Sequence, residues 1–295
     1  MQGPYPIFCR GHSGGRIVCE AFIRNGINMG QVAQDRKDTD FFAIDNPHVH
    51  EMVMNAYEYL LIDNQNKQYF QELMTRCVAQ YRHSEIHTVG PFGWKMGISL
   101  FTMLAVLDAF PTAKVIHLIR DGRDVMLSRL EARFAHLNQP INRLVVFGDA
   151  THNHFEGHSL TPETIATYRN ELEMLHWVTA VSYGLKGRAY HERYLEVQYE
   201  AICQNPSAVF NKIFDFIEVP FLNTTQDWLE QALYKTKIAK WKALSEQQLQ
   251  KPLAIGGSLL KELGYLDSNF IDKYGHIHVM RRTFHTPVYK GGINP

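Results

Sequence analysis

The sequence has little cysteine, no long hydrophobic run and no excess of charge of either sign. Only four of its 295 residues are cysteines, and they form no CxxC pair, which favours free thiols in a reducing compartment. No run approaches the roughly 20 apolar residues that a membrane-spanning helix needs. The first residues lack the basic and apolar regions of a signal peptide. We therefore expect a cytoplasmic protein without a membrane span.

Charge and composition exclude further classes. Lys and Arg total 30 and Asp and Glu total 30, so the formal net charge is zero. Nonspecific nucleic-acid binders carry a broad excess of positive charge, and we expect no nucleic-acid partner. With 45% hydrophobic residues and no periodic glycine or proline, the composition is that of a globular protein. We expect one domain over residues 1–266, with 267–295 as its C-terminal extension.

Apolar runs that predict buried strands alternate with segments that predict helices. The candidate strands are residues 5–10, 113–119 and 194–198. This alternation predicts an α/β fold of three layers, in which helices cover a central parallel β-sheet. The predicted helices are 17–24, 66–83, 99–109, one from the end of the second strand to about Phe134, 161–183 and 207–217.

A polar, histidine-containing stretch at residues 136–160 interrupts this alternation. It has little periodicity, and an irregular segment of this length inside an α/β domain is typical of a lid or binding loop. We expect it to cover the acceptor substrate. Three of its four histidines, His152, His154 and His158, lie close together, but they lack the spacing of structural zinc sites and have no cysteine beside them, so we predict no metal.

A glycine-rich loop at residues 11–16, between the first strand and the first helix, is the strongest local signal. Backbone N–H groups of such a loop, together with the helix dipole, bind phosphate or sulfate groups. Arg16 and Ile17 stand where a Walker A loop has Lys and Ser or Thr, and the GxGxxG fingerprint is absent. We therefore expect an anionic cofactor that is bound without a hydroxyl-held Mg²⁺.

The end of the second strand predicts another anion-binding position. Arg120 follows this strand directly, and Ser128 lies about two helical turns further on. Ligands of open parallel sheets bind at the carboxyl ends of the strands, where the glycine loop also lies. The two positions together predict a ligand that carries two separated anionic groups.

These segments, in this order, resemble the sulfotransferases that use 3′-phosphoadenosine 5′-phosphosulfate (PAPS), especially bacterial and carbohydrate-modifying members. The resemblance covers about residues 5–266. The matching segments are 6–16 (the 5′-phosphosulfate loop), 93–95 (a lysine-bearing segment), 114–129 (the 3′-phosphate segment), 194–217 (a strand, Tyr-Glu and helix), and 240–242 with 260–265 (the C-terminal close).

The resemblance implies a P-loop NTPase-like fold, PAPS as the sulfuryl donor, and a small-molecule or carbohydrate acceptor. It implies that Arg120 and Ser128 hold the 3′-phosphate, the former through a bidentate contact. Tyr199 would lie near the adenine, and Lys95 would reach the sulfuryl group or the acceptor. The residues that would bind the 5′-phosphosulfate are Arg10, Gly11, His12, Ser13, Gly14, Gly15 and Arg16.

The loop departs from the family pattern at three positions. Lys or Arg is usual where His12 stands, and Ser or Thr is usual at Gly15 and Arg16. His12 is the catalytic candidate at the position that stabilises the leaving phosphate. We hypothesise that Arg16 supplies the positive charge that a loop lysine would otherwise provide.

Sulfuryl transfer to a hydroxyl also needs a base that accepts the acceptor's proton. Glu20 has the spacing from the loop at which carbohydrate-modifying members carry a glutamate base. The alternative for Glu20 is a structural ion pair with Arg16 or Arg24. His48 and His50 are rival bases, because histidine titrates near neutral pH.

Two other functions stay open at this point. One is a P-loop kinase of small molecules, against which the missing Lys-Ser/Thr pair argues. The other is a catalytically silent nucleotide-binding protein of the same fold, which the replacement of the loop's basic residue by His12 keeps open.

Overall fold

The computed structural model describes residues 3–62, 64–87, 89–128, 137–232 and 238–266. Within these ranges the strands are β1 (Ile7–Cys9), β2 (Val115–Ile119), β3 (His154–Phe155), β4 (His158–Ser159) and β5 (Tyr194–Gln198). Strands β1, β2 and β5 form a parallel sheet in that order, while β3 and β4 form a small antiparallel hairpin. The three predicted strands are confirmed.

Helices surround this sheet. Those of the first half are α1 (Gly15–Arg24), α2 (Pro47–Met54), α3 (Asn64–Ser84), α4 (Met103–Ala109) and α5 (Gly122–Leu127). Those of the second half are α6 (Pro140–Phe147), α7 (Pro162–Thr167), α8 (Arg169–Gly184), α9 (Tyr199–Gln204), α10 (Pro206–Ile217), α11 (Asn223–Ala232) and α12 (Glu246–Glu262). The short 3₁₀ helices include Asp40–Phe42, Glu58–Leu60, Ile98–Thr102, Leu185–Arg193 and Lys240–Ala243.

Alternate strand residues face opposite helical layers, as the two-residue period of a strand requires. Ile7 and Ile116 lie in the same buried cluster as Phe22 of α1 and Phe214 of α10. Phe8 and Val115 face the other way, into the cluster formed by helices α2, α3 and α4. The predicted three-layer α/β fold is therefore confirmed.

An extended segment at residues 92–95 lies along the free edge of β1. The N–H of Tyr5 donates to the carbonyl of Phe92 (2.8 Å), and that of Ile7 donates to the carbonyl of Trp94 (2.9 Å). This pairing carries Lys95 to the carboxyl end of β1, where the glycine loop begins.

Two of the predicted helix boundaries are wrong because of contacts that side chains make. The helix predicted over 161–183 is interrupted at Tyr168, whose ring packs against Phe155 and His158 of the hairpin. Residues 98–102 form a 3₁₀ turn, because the hydroxyls of Ser99 and Thr102 bond to preceding carbonyls, each at 2.8 Å.

The expected irregular structure of residues 136–160 is wrong for residues 140–147. Pro140 occupies the first turn of α6, Gly148 ends it with φ 68°, and the helix buries Leu144 and Phe147. The predicted helix end near Phe134 and the extension 267–295 lie outside the described residues.

His117 is fully buried at the centre of β2. Its Nδ1 lies 2.6 Å from the hydroxyl of Tyr194, and Gly184 approaches the ring so closely that a Cβ there would lie 2.3 Å from it. Burial, assisted by the positive charge of Arg188, lowers the pKa of His117 to about 3. The imidazole is therefore neutral in the folded protein at neutral pH.

This burial predicts a stability that falls in mild acid. The unfolded chain takes up a proton at His117 near pH 6.5, whereas the folded chain does not until about pH 3. Between pH 6 and 4 this residue should lower the free energy of unfolding by about 1.4 kcal/mol per pH unit. In urea titrations, the His117→Gln variant should lose that part of the slope. Equal slopes in the variant and the wild type would contradict the prediction.

Candidate active site

The glycine loop turns tightly between β1 and α1. His12 and Gly14 both have positive φ, 69° and 89°, and Gly14 directly precedes the helix. A Cβ on Gly14 would lie 2.2 Å from the ring of Tyr199, so the loop needs a glycine at this position for two independent reasons. The loop closes through the N–H of Ser13, which donates to the carbonyl of Arg10 (3.1 Å).

Ser13 supports the prediction that this loop binds an oxyanion. Its side chain is 1% exposed, and its Oγ has no hydrogen-bond partner among the described residues. A buried hydroxyl without a partner is costly, and an oxygen of a bound phosphosulfate would satisfy it. The loop residues therefore fit the group that the sequence implies.

Arg10 holds the loop to the helical layer behind it. Its guanidinium forms a buried ion pair with Glu173 of α8 and also donates to the carbonyl of Gly11 (2.8 Å). Both groups belong to the protein, so these contacts fix the start of the loop. Binding of the cofactor by Arg10 stays a prediction.

The structure brings the second predicted anion position against the loop. Arg120, which is 4% exposed, donates through Nη1 to the carbonyl of His12 (3.1 Å) and to Oγ of Ser128 (3.4 Å). Its guanidinium lies over the ring of Tyr199, 4.9 Å from the centroid. Burial raises the pKa of Tyr199 to about 12, so the phenol is neutral. These three side chains and the loop thus form one site.

Asp124 connects residues 239–241 to this site through hydrogen bonds, a role that the sequence did not indicate. Its carboxylate is fully buried and accepts the N–H groups of Ala239 (2.7 Å) and Trp241 (3.2 Å). Arg123 stacks on the indole of Trp241 at 3.6 Å and is paired with Asp121. The one available signal was the run of opposite charges in residues 120–124, which does not specify the distant partner.

Glu20 lies on α1 beyond the loop and is held by two cations. Its carboxylate is 2.9 Å from Nε of Arg24 and 3.1 Å from Nζ of Lys37. The ion pair considered with Arg24 is therefore present. Arg16 instead donates to the carbonyl of Asp35 (3.2 Å).

Lys95 reaches the other side of the same loop. Its side chain passes so close to Gly15 that a Cβ there would lie 2.8 Å from Cε of Lys95. Its Nζ is 2.5 Å from Oδ1 of Asp38 and 3.1 Å from the carbonyl of Arg36. Residues 35–38, which no sequence signal singled out, thus contact Arg16, Glu20 and Lys95 alike.

The rival histidines lie on α2. The backbone N–H of His48 donates to the side chain of Asn46 in the first turn of that helix (3.0 Å). His50 lines a groove of about 440 Å³ together with Ile44, Met54 and Ile141. That groove joins α2 to residues 136–160, the segment expected to cover the acceptor.

The described residues contain no group of three or more His, Cys, Asp or Glu side chains placed to hold a metal ion. No helix among them is long and apolar enough to cross a membrane.

Comparison with solved structures supports the fold. The chain is similar to the sulfotransferase domain from the curacin biosynthetic pathway at 13% identity and a TM-score of 0.50, covering 88% of this chain and 98% of that one. The sulfotransferase domain of the Synechococcus PCC 7002 olefin synthase gives 14% identity and a TM-score of 0.49, covering 88% and 95%. A Mycobacterium avium sulfotransferase gives 14% and 0.47, covering 89% and 76%. The similarity to the curacin-pathway domain confirms the predicted P-loop-like fold.

Sequence comparison gives the family. No curated protein sequence matches the chain. The sequence model of the sulfotransferase family matches residues 21–223, which begin just after Glu20 and include Lys95, Arg120, Ser128 and Tyr199. This match extends over more than half of the chain. The chain belongs to the sulfotransferase family.

Proposed function

We propose that this protein transfers the sulfuryl group of PAPS to an acceptor hydroxyl and releases adenosine 3′,5′-bisphosphate. The observation that carries the proposal is the contact of Arg120 and Tyr199 with the glycine loop, together with the bond from Arg120 to the hydroxyl of Ser128. This arrangement places the cationic side chain of Arg120 beside a second anion-binding position, which is formed by backbone N–H groups of the loop. PAPS carries one anionic group at each end of its ribose.

Each group has a defined task in this proposal. Arg120 and Ser128 bind the 3′-phosphate, and the ring of Tyr199 packs at the adenine. The N–H groups of the loop and the hydroxyl of Ser13 bind the 5′-phosphosulfate. His12, Arg16 and Lys95 surround the bond that breaks and stabilise the negative charge that develops on the leaving phosphate.

The transfer itself is a displacement at sulfur. The acceptor oxygen forms a bond to sulfur, the bond from sulfur to the 5′-phosphate oxygen breaks, and its electron pair leaves with the bisphosphate. The acceptor's proton passes to the carboxylate of Glu20, which Arg24 and Lys37 hold in place. The chain's own contribution is positioning and charge stabilisation.

For the acceptor we propose a carbohydrate, a glycolipid or a small metabolite that carries a hydroxyl. The position of Glu20, as in carbohydrate-modifying members, supports a sugar first. The four cysteines are buried and unpaired, which supports a reducing location such as the cytoplasm.

Calorimetric titration with adenosine 3′,5′-bisphosphate, run beside Mg·ATP, tests the donor. We expect tight binding of the bisphosphate and little binding of Mg·ATP. Incubation with ³⁵S-labelled PAPS and a panel of sugars, glycolipids and small alcohols then tests the transfer. Binding of Mg·ATP alone would support the kinase, and bisphosphate binding with no transfer to any acceptor would support the silent binding protein.

Arg16 provides a smaller test of the loop. Its side chain is exposed and donates to the carbonyl of Asp35 (3.2 Å). If Arg16 supplies the charge that His12 lacks, Arg16→Ala should weaken binding of PAPS about 5- to 10-fold, the effect of one charge-assisted hydrogen bond. Unchanged affinity and turnover in this variant would remove the hypothesis.

A further inference from the structure

The backbone at Lys95 is fixed to the segment that carries Asp38. The N–H of Thr39 donates to the carbonyl of Lys95 (2.7 Å), and the N–H of Lys95 donates to Oγ1 of Thr39 (3.1 Å). Thr39 is fully buried. These reciprocal bonds place Asp38 beside the lysine side chain with little freedom to move.

The lysine ammonium is held by two groups of the same segment. Its Nζ bonds to Oδ1 of Asp38 and to the carbonyl of Arg36, and the side chains of Lys95 and Asp38 are only 10% and 15% exposed. An ammonium has three N–H donors, so these two bonds leave one for another acceptor. Since Cε lies against Gly15, that donor is available at the glycine loop.

Burying an ammonium is costly unless an opposite charge lies beside it. A four-carbon stem also needs a fixed partner to keep its end in one place. The carboxylate of Asp38 meets both needs.

We infer that Asp38 is a positioning residue that holds the ammonium of Lys95 and directs its third N–H to the sulfuryl group of the donor. This inference rests on the proposed function, because it assigns the partner of that N–H. Asp38 acts through Lys95 and does not contact the donor itself. Loss of the Asp38–Lys95 pair should therefore weaken the binding of PAPS. It should not weaken the binding of adenosine 3′,5′-bisphosphate, which lacks the sulfuryl group.

The chain offers a matched control in the same segment. Asp35 carries the same charge three residues earlier, but its side chain is 79% exposed and lies 3.7 Å from Nε of Arg36, which is itself 61% exposed. Exposed pairs of this kind contribute little. Asp35→Asn therefore removes one negative charge near the loop without removing the counter-charge of Lys95.

The test is the ratio of two dissociation constants, that of the bisphosphate over that of PAPS, measured by calorimetry without any acceptor. We expect Asp38→Asn, Lys95→Met and the double variant to lower this ratio alike, by about 10-fold, while affinity for the bisphosphate changes less than about threefold. Asp35→Asn should keep the ratio within about twofold. Asp38→Glu retains the counter-charge, and its ratio should be at least about a third of the wild-type ratio.

Several outcomes would overturn the inference. These are an unchanged ratio in Asp38→Asn or in Lys95→Met, an equal loss in Asp35→Asn, and a double variant whose loss is the product of the two single losses. Asp38→Glu decides if Asp38→Asn does not fold, since a ratio as low as that of Lys95→Met would count against the assignment. Wild-type protein that binds neither nucleotide would instead overturn the proposed function.

Discussion

Replacing Arg120 with glutamine is expected to lower the affinity for adenosine 3′,5′-bisphosphate by roughly 100-fold, because the variant loses a buried guanidinium that contacts the anion directly. The residue is 4% exposed, and its side chain joins the loop at His12 to Ser128 at the end of α5. A phosphate placed there would exchange bulk water for a charged, largely desolvated partner. Glutamine keeps a polar amide, but it is shorter than arginine and has no charge.

The ligand itself supplies the control for this variant. Adenosine 5′-monophosphate lacks the 3′-phosphate, so its weaker binding should change by no more than about threefold in Arg120→Gln. Ser128→Ala removes only the neighbouring hydroxyl, and we expect a loss of about 5- to 10-fold for the bisphosphate. If Arg120→Gln weakened the binding of both nucleotides equally, the residue would be supporting the fold of the site and not binding the 3′-phosphate.

Much of this site could be predicted from the sequence because its parts are local. The glycine loop is a continuous segment between a strand and a helix, and Arg120 and Ser128 lie within one turn-helix unit. The parallel sheet then places both at the same edge, as the rule for carboxyl strand ends requires. Local pattern and topology were enough to expect one ligand across the two positions.

The parts that the sequence did not reveal depend on contacts between distant segments. Asp38 pairs with Lys95 and Asp124 binds the backbone of residues 239 and 241, and none of these pairs shares a local motif. The break at Tyr168 depends on the packing of its ring against the β3–β4 hairpin. Periodicity describes which face of a segment is buried, but it does not specify which distant charge or ring will meet it.

Glu20→Gln is expected to abolish most of the sulfuryl transfer while leaving donor binding intact. A general base contributes about 10²- to 10⁴-fold, so the rate of ³⁵S transfer from PAPS should fall within that range. The amide keeps the size of the side chain but accepts no proton from the acceptor hydroxyl. Affinity for adenosine 3′,5′-bisphosphate should stay within about twofold, because Glu20 lies beyond the loop on α1.

Arg24→Gln separates this role from that of an ion pair. It removes the same Glu20–Arg24 contact from the other end, and the arginine side chain is 46% exposed. An exposed pair of this kind is weak, so loss of the contact alone should change the transfer rate only a few-fold. If Glu20 were structural, the two variants would show similar small losses.

If His50 were the base, His50→Gln would lose the transfer while Glu20→Gln retained it, since the groove that His50 lines lies between α2 and residues 136–160. A large loss in Glu20→Gln that neither Arg24→Gln nor His50→Gln shows therefore supports proton acceptance by this carboxylate over a structural pair with Arg24 and over a histidine base.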